Sequence, residues 1–245
     1  MCMTDSDALL LEVARCTNIQ RCFESTVLQH PCSKVVAAQG VSRDEFHLPE
    51  PWSGEIETAP ILFVSWNPSW NPNERFPTRE WTDGAIVDFF RTRFSHSDQR
   101  SQTWREIGGI AEHLLGRPAR PGVDYCVTDA VRCKSLDGAG ARKALRECSG
   151  RYLRRTLRVS GARVIVALGK DARETIATYC GVRAQIGADG PMMIAGRDRM
   201  LVQLGAHPVP ASGGDSRTRN SRKYRPFSPQ TRRRSRSVDR GCGAV

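Results

Sequence analysis

No stretch of the 245-residue chain approaches the roughly 20 apolar residues that a bilayer-spanning helix requires, and its first residues form neither a basic leader nor a continuous apolar segment. These absences argue against a helical membrane anchor and lead us to expect a cytoplasmic protein. No internal repeat is visible. Histidine is scarce, at five residues, whereas cysteine is plentiful at nine, an odd number that cannot pair off completely as disulfides. Hydrophobic residues at 39% and charged residues at 26% are ordinary for a soluble fold with a substantial core. The length suits one α/β domain, taken as residues 1–212, followed by a tail at 213–245.

Acidic residues are outnumbered, giving a net charge of +11, but the excess is not spread evenly. From Gly213 onward there are ten Lys and Arg against two Asp, so eight of the net charges belong to the tail. The run Arg232-Arg-Arg-Ser-Arg236, set among Ser, Pro and Gly, has no apolar periodicity. Such a segment is expected to stay unfolded and to attract phosphates without sequence preference.

Along the body, Leu9, Leu10, Val13 and Ala14 give Asp7 to about Arg21 the apolar face of a helix. Further helices are predicted at Asp83 to Phe94, Thr103 to Leu115, Arg142 to Leu157 and Lys170 to Tyr179. Ile61-Leu-Phe-Val64, Tyr125 to Val131, Arg163 to Leu168 and Met200 to Leu204 read as buried strands, with Pro191 to Ala195 as a short edge strand. Strands separated by helices predict a mostly parallel sheet covered on both faces. Ligands of such sheets bind beyond the carboxyl ends of the strands. Asn67, Asp129, Gly169 and His207 all fall at or just after such ends.

A late cysteine pair, Cys133 and Cys148, and an early group, Cys16, Cys22 and Cys32, suggest a thiolate-bound metal centre in a cytoplasmic chain. Four ordered blocks accompany them: Ile61-Leu-Phe-Val-Ser-Trp-Asn-Pro-Ser69, Val127-Thr-Asp-Ala-Val-Arg-Cys133, Val164-Ile-Val-Ala-Leu-Gly-Lys170 and His207-Pro208. In order, spacing and placement at strand ends, these blocks resemble those of the uracil-DNA glycosylase superfamily, and its iron–sulfur branch most. The similarity spans roughly Cys16 to Ser212. It implies a three-layer α/β/α sandwich around a mostly parallel four-stranded sheet, and a monomeric DNA-binding enzyme that flips a base and hydrolyses its N-glycosidic bond.

The first block is similar to the Gly-X-Asn-Pro-Gly motif of that superfamily, with Ser65 and Ser69 in place of glycines. The resemblance places Asn67 where the hydrolytic water is held; an amide that orients water against the anomeric carbon meets the need of a sugar-cation transition state. His207 matches the histidine that donates to the base oxygen as negative charge develops there. Pro208, Val209 and Ser212 resemble the loop that presses into the DNA groove, and Lys170 is expected to be a further DNA contact. Phe76, nine residues past Asn67, is the expected stacking platform for the flipped base, with Trp70 and Trp81 as competitors and Trp66, beside the motif asparagine, as a further expected base-binding residue. The branch's late ligand pair corresponds to Cys133 and Cys148. In place of the usual early Cys-X-X-Cys stand Cys16, Cys22 and Cys32, of which Cys22 and Cys32 are preferred, with Cys16 as substitute. Four thiolates suit a [4Fe–4S] cluster, and zinc is the alternative.

Asp129 departs from the asparagine that uracil-removing relatives carry at this point. A carboxylate cannot donate to O4 of uracil but accepts well from the exocyclic amino group of cytosine. Ser69 stands where uracil enzymes carry a bulky aromatic that excludes C5 substituents. Together they predict excision of a C5-modified cytosine, such as hydroxymethylcytosine or its glucoside in phage DNA, and hence an antiphage role. Excision of uracil or another deaminated base is the alternative. A non-catalytic DNA-binding module is the alternative of another class.

Overall fold

In a computed structural model, residues 4–24, 30–96 and 102–205 are described. Helix α1, Asp5–Ala14, opens with a capping box in which the Thr4 hydroxyl accepts from the Asp7 amide at 3.2 Å while the Asp7 carboxylate accepts from the Thr4 amide at 3.3 Å. The single helix expected to run to about Arg21 is broken. Arg15 leaves helical geometry, and its guanidinium reaches across to Asp83 at 2.7 Å and to the Trp81 carbonyl at 2.8 Å. The chain resumes as α2, Thr17–Glu24, so Cys16 occupies the bend between two helices. Helix α3 is Ser33–Ala37.

Strand β1, Ile61–Ser65, leads through a long loop to α4, Asp83–Arg91, capped by the Thr82 hydroxyl, then α5, Arg93–His96, and α6, Gln102–Leu115. Strand β2 is Tyr125–Asp129. Helix α7, Ala141–Cys148, runs through one π-helical turn at Ser149–Leu153 into α8, Arg154–Val159. Strand β3, Val164–Ala167, is followed by α9, Gly169–Cys180, and the chain closes with β4, Gly187–Ile194, and β5, Arg197–Gln203.

The sheet has the order β2-β1-β3-β5-β4, parallel except for β4, which pairs antiparallel with β5. It has five strands where four were expected. The segment expected as a short edge strand at Pro191 to Ala195 is the second half of an eight-residue β4. The extra strand forms because Ala195 and Gly196 both adopt positive φ, 51° and 86°, which is the backbone of a tight two-residue hairpin turn.

Successive residues of β1 face opposite sides. Leu62 and Val64, with Ile165, Ala167 and Leu201, pack against Leu10 and Val13 of α1, Ile86 and Phe90 of α4, Leu157 of α8 and Ile176 of α9. Ile61 and Phe63, with Tyr125, Val127 and Val166, pack against Ile107 and Ala111 of α6. Burial on both faces is why these strands read as continuous apolar runs.

A third apolar cluster lies past the end of β2. Val131 and Cys133 meet Ile19 of α2, Cys32, Val35 and Val36 around α3, Phe46, and Ala141 and Ala144 of α7. The approach is closest at Gly140, whose φ of 77° already favours glycine. A Cβ there would sit 2.3 Å from the Val35 nitrogen, so only glycine lets α3 settle on the start of α7. The cysteine-bearing N-terminal segment is thereby seated against the loop that follows β2.

Candidate active site

The parallel pairing of β1 with β2 ends at Ser65 opposite Asp129, yet the two segments stay zipped beyond the sheet. Ala130 and Val131 donate to the carbonyls of Ser65 and Trp66, each at 2.9 Å. Farther on, Ser135 donates to the Pro68 carbonyl and Trp70 to the Ser135 carbonyl, each at 3.2 Å. This extension carries Asn67 alongside residues 133–135. Its Nδ2 donates to the Cys133 carbonyl at 2.6 Å, and its Oδ1 accepts from the Ser135 hydroxyl at 2.6 Å. A carbonyl can only accept, so the amide's orientation is fixed by its partners. One N–H and one lone pair are left over, enough to hold a water molecule.

Asp129 sits two residues away on the neighbouring strand side, 5% exposed, and accepts a very short hydrogen bond from the Ser65 hydroxyl. Burial, and then the charge of Glu50, push its carboxyl up to about 7, against the opposing hydrogen bond from Ser65. Near neutrality this carboxyl therefore exists in both forms. Ionised, it only accepts; protonated, it offers one donor and one acceptor.

Phe76 lies inside the core at 3% exposure. His47 stacks on its ring at 5.3 Å between centroids, the Lys134 ammonium stands 4.2 Å from the centroid and the Arg93 guanidinium 5.3 Å. The edges of Phe89 and Phe90 complete the enclosure. A base could stack on Phe76 only by displacing one of these groups. Ser69 is exposed, and its carbonyl accepts from Lys134 at 3.2 Å. Trp66 is half-buried, with the Gly138 backbone against its ring and its indole N–H without an acceptor among the described residues. Lys170 is exposed in the first turn of α9, 3.9 Å from Glu174. His207, Pro208, Val209 and Ser212 lie outside the described residues, as does the tail.

Behind the Asn67 loop lies a set of charges that the sequence reading missed. Lys134 pairs with Glu74 at 2.9 Å and Glu50 at 3.6 Å, while Arg93 pairs with the same two carboxylates. Burial acts to raise the Glu50 carboxyl, but Lys134, Arg93 and the Ser53 hydroxyl outweigh it and hold the group below its ordinary range. Glu50, Arg93 and Lys134 are each under one-tenth exposed, so the network pins the loop carrying Glu74 and Phe76 to the strand ends. The one available signal was Glu50 inside Leu48-Pro-Glu-Pro-Trp52, a carboxylate flanked by bulky apolar residues.

On the far side of residues 132–134 four cysteines line one recess: Cys16 from the α1–α2 bend, Cys32 at the start of α3, Cys133 past β2 and Cys148 at the end of α7. Its empty space, open mouth included, is about 320 Å³. The Arg132 amide donates to Cys148 Sγ at 3.3 Å. The Arg132 side chain is fully buried along the same wall, and its Nε has no partner among the described residues. Burial, and then the neighbouring cysteines, push the Cys32 thiol up to about 12 and that of Cys133 well above the ordinary range, while burial sets Cys148 at about 11. The preferred Cys22 is not on this wall; its Sγ lies 3.8 Å from His30 Nδ1 and accepts from the Ser33 hydroxyl at 3.8 Å. Cys16, the substitute, lines the recess instead. Among the described residues no three His, Cys, Asp or Glu side chains converge closely enough to hold a single ion. Four thiols and the buried side chain of Arg132, with its unmet donor, thus share one wall.

No protein-family model matches the chain, and no curated protein matches it. No helix among the described residues is long and apolar enough to cross a membrane.

Proposed function

We propose that the chain is a DNA glycosylase that hydrolyses the N-glycosidic bond of a flipped base, with C5-modified cytosine as its preferred substrate. The observation that carries this reading is the pairing at the ends of β1 and β2. An oriented amide with spare hydrogen-bonding capacity, Asn67, follows two residues after Ser65, which lies opposite the buried carboxyl of Asp129, the group that would read a base edge. In this reading the sheet with helices against both faces is the three-layer sandwich of uracil-DNA glycosylases, with β4 added at its edge.

In the proposed chemistry Asn67 holds water against the anomeric carbon, using the N–H and lone pair not engaged by Cys133 and Ser135. Fixing the amide beforehand removes the orientational cost of positioning that water. Asp129 accepts from the cytosine amino group. The small, exposed Ser69 leaves room at C5. His207 would donate to the base oxygen as charge builds there. Lys143, Arg146, Arg154 and Arg158 are exposed along α7 and α8 and make no ion pair among the described residues, which suits contact with DNA phosphates.

Cys16, Cys32, Cys133 and Cys148 would hold a [4Fe–4S] cluster, whose contribution is a cross-link between the N-terminal helices and the segment after β2. Thiols ringed about a recess suit a polynuclear cluster better than a single zinc ion, whose tetrahedral site draws sulfurs to within about 3.8 Å of one another. Arg132 would offset part of the cluster's negative charge.

One observation favours uracil as a second substrate. With its carboxyl pushed up to about 7, a protonated Asp129 offers the same donor and acceptor pair as the amide of asparagine. The deciding experiment measures free base released from duplexes containing uracil, cytosine, hydroxymethylcytosine or its glucoside. Release of a modified cytosine above all others is expected. Release of uracil alone would remove the role given to Asp129, and no release of any base would end the glycosylase reading.

A further inference from the structure

Cys133 faces two ways. Its thiol lines the four-cysteine recess, while its main-chain carbonyl accepts the Asn67 amide at 2.6 Å. Two residues on, the Ser135 hydroxyl closes on the other end of the same amide at 2.6 Å. Between them Lys134 is tied to Glu74 and to the Ser69 carbonyl. All three residues are buried, at 6%, 3% and 1% exposure, so bulk water cannot readily stand in for a lost partner. The thiol and the carbonyl branch from one buried residue, so a shift of the Cys133 backbone moves both the sulfur and the acceptor of Asn67 Nδ2.

We infer that the segment Cys133–Ser135 couples the thiol-bound centre to Asn67, with Ser135 and the Cys133 peptide as positioning groups for the amide. This rests on the reading of Asn67 as the water-holding residue and of the recess as a cluster site. A sulfur fixed on one side of a three-residue buried strip holds the carbonyl and hydroxyl on its other side. By the reciprocity of coupled sites, the bonds to Asn67 hold the thiol in place in return. Local opening at 133–135 is then the common event that disorders the amide and exposes the centre.

The coupling is read without using activity. Full-length protein purified anaerobically is challenged with excess chelator, and the decay of visible absorbance and the release of iron are followed. Asn67→Asp is nearly isosteric but sets a carboxylate oxygen against the Cys133 carbonyl, and Ser135→Ala removes the second bond. Each is expected to lose the chromophore at least about 5-fold faster than wild type, while Glu112→Ala, on the exposed face of α6, matches wild type. Restoring the hydroxyl as Ser135→Thr recovers part of the protection. Equal decay for wild type, Asn67→Asp and Ser135→Ala overturns the coupling, as does protein that purifies without metal. In a second arm, Ser135→Ala lowers kcat for base release by about 10-fold or more with little change in KM; an unchanged kcat overturns its positioning role. Altered decay in a protein that releases no base would leave the coupling standing and fell the glycosylase reading. Equal decay alongside robust base release would do the reverse.

Discussion

Replacing Asp129 by asparagine should change how stability depends on pH. Asparagine keeps the shape of the side chain and an oxygen for the Ser65 hydroxyl, and removes only the ionisation. In the folded protein burial and Glu50 carry this carboxyl from its ordinary 3.8 up to about 7. The protonated form is thus the one the fold prefers. Its contribution is complete below 3.8, drains away as pH climbs towards 7 and is level above that. At 1.36 kcal/mol for each tenfold change in proton affinity, the whole window is worth at most about 4 kcal/mol. Relaxation and water entry around a buried charge reduce it, so a loss of about 2–3 kcal/mol between pH 4.5 and 8 is the working figure. Urea unfolding of both proteins across that range gives the comparison directly, since every other titrating group is shared. Wild type should lose its advantage over Asp129→Asn steadily up to about pH 7 and hold a constant offset beyond. Two curves that stay parallel to within about 0.5 kcal/mol from pH 4.5 to 8 would refute the reasoning, because measured stabilities resolve less than that difference poorly.

The same carboxyl makes substrate preference pH-dependent: uracil release should fall as pH rises through about 7 more steeply than modified-cytosine release, in a base-release assay at pH 6 and 8. Asp129→Asn should shift the uracil-to-cytosine ratio towards uracil by about 10-fold or more, in line with roughly 1–3 kcal/mol per base-edge contact. Gly140→Ala should destabilise by more than about 2 kcal/mol in urea melts, since a left-handed backbone is strained and the added carbon meets the α3 backbone at 2.3 Å. By contrast Gly84→Ala, in α4 with nothing within 4 Å of the new carbon, should stabilise by about 0.5–1 kcal/mol. Cys16→Ser should purify with much reduced iron while Cys22→Ser keeps its full complement; the opposite pattern would return Cys22 to the ligand set.

Much of the frame was legible because both faces of β1 and β3 are buried, which leaves Ile61–Val64 and Val164–Ala167 no polar positions to blur the pattern. The strand-end placement of Asn67 followed from the first of these runs, and that of Asp129 from the fully buried run Tyr125–Asp129 of β2. Strand β4 was harder to see. Its Gly187, Gly190 and Pro191 dilute the signal, and all of its residues but Ile194 are exposed or half-covered because it has a neighbour on one side only. The break at Cys16 was invisible to periodicity, since Ile19 continues the apolar spacing across it. That break also places Cys16, and not Cys22, on the recess: spacing along the chain cannot tell which of two helices a thiol will leave from. The ion cluster of Glu50, Glu74, Arg93 and Lys134 stayed hidden for a different reason. Charges in proline-rich loops read as solvated, and only the packing of distant loops reveals that these have been taken out of water.

The wide turn at Ser149–Leu153 has a consequence for engineering the long helical arm. Removing one residue there, Gly150 for instance, would restore a regular ladder and leave Arg154–Val159 close to its present phase relative to Ala141–Cys148, because the wide turn takes up one residue without the further rotation of about 100° that a regular helix would add. Leu157 would then stay in the apolar interior while Cys148 kept its place on the recess. The wide turn is thus a slack joint, able to gain or shed a residue while both halves of the arm keep their partners.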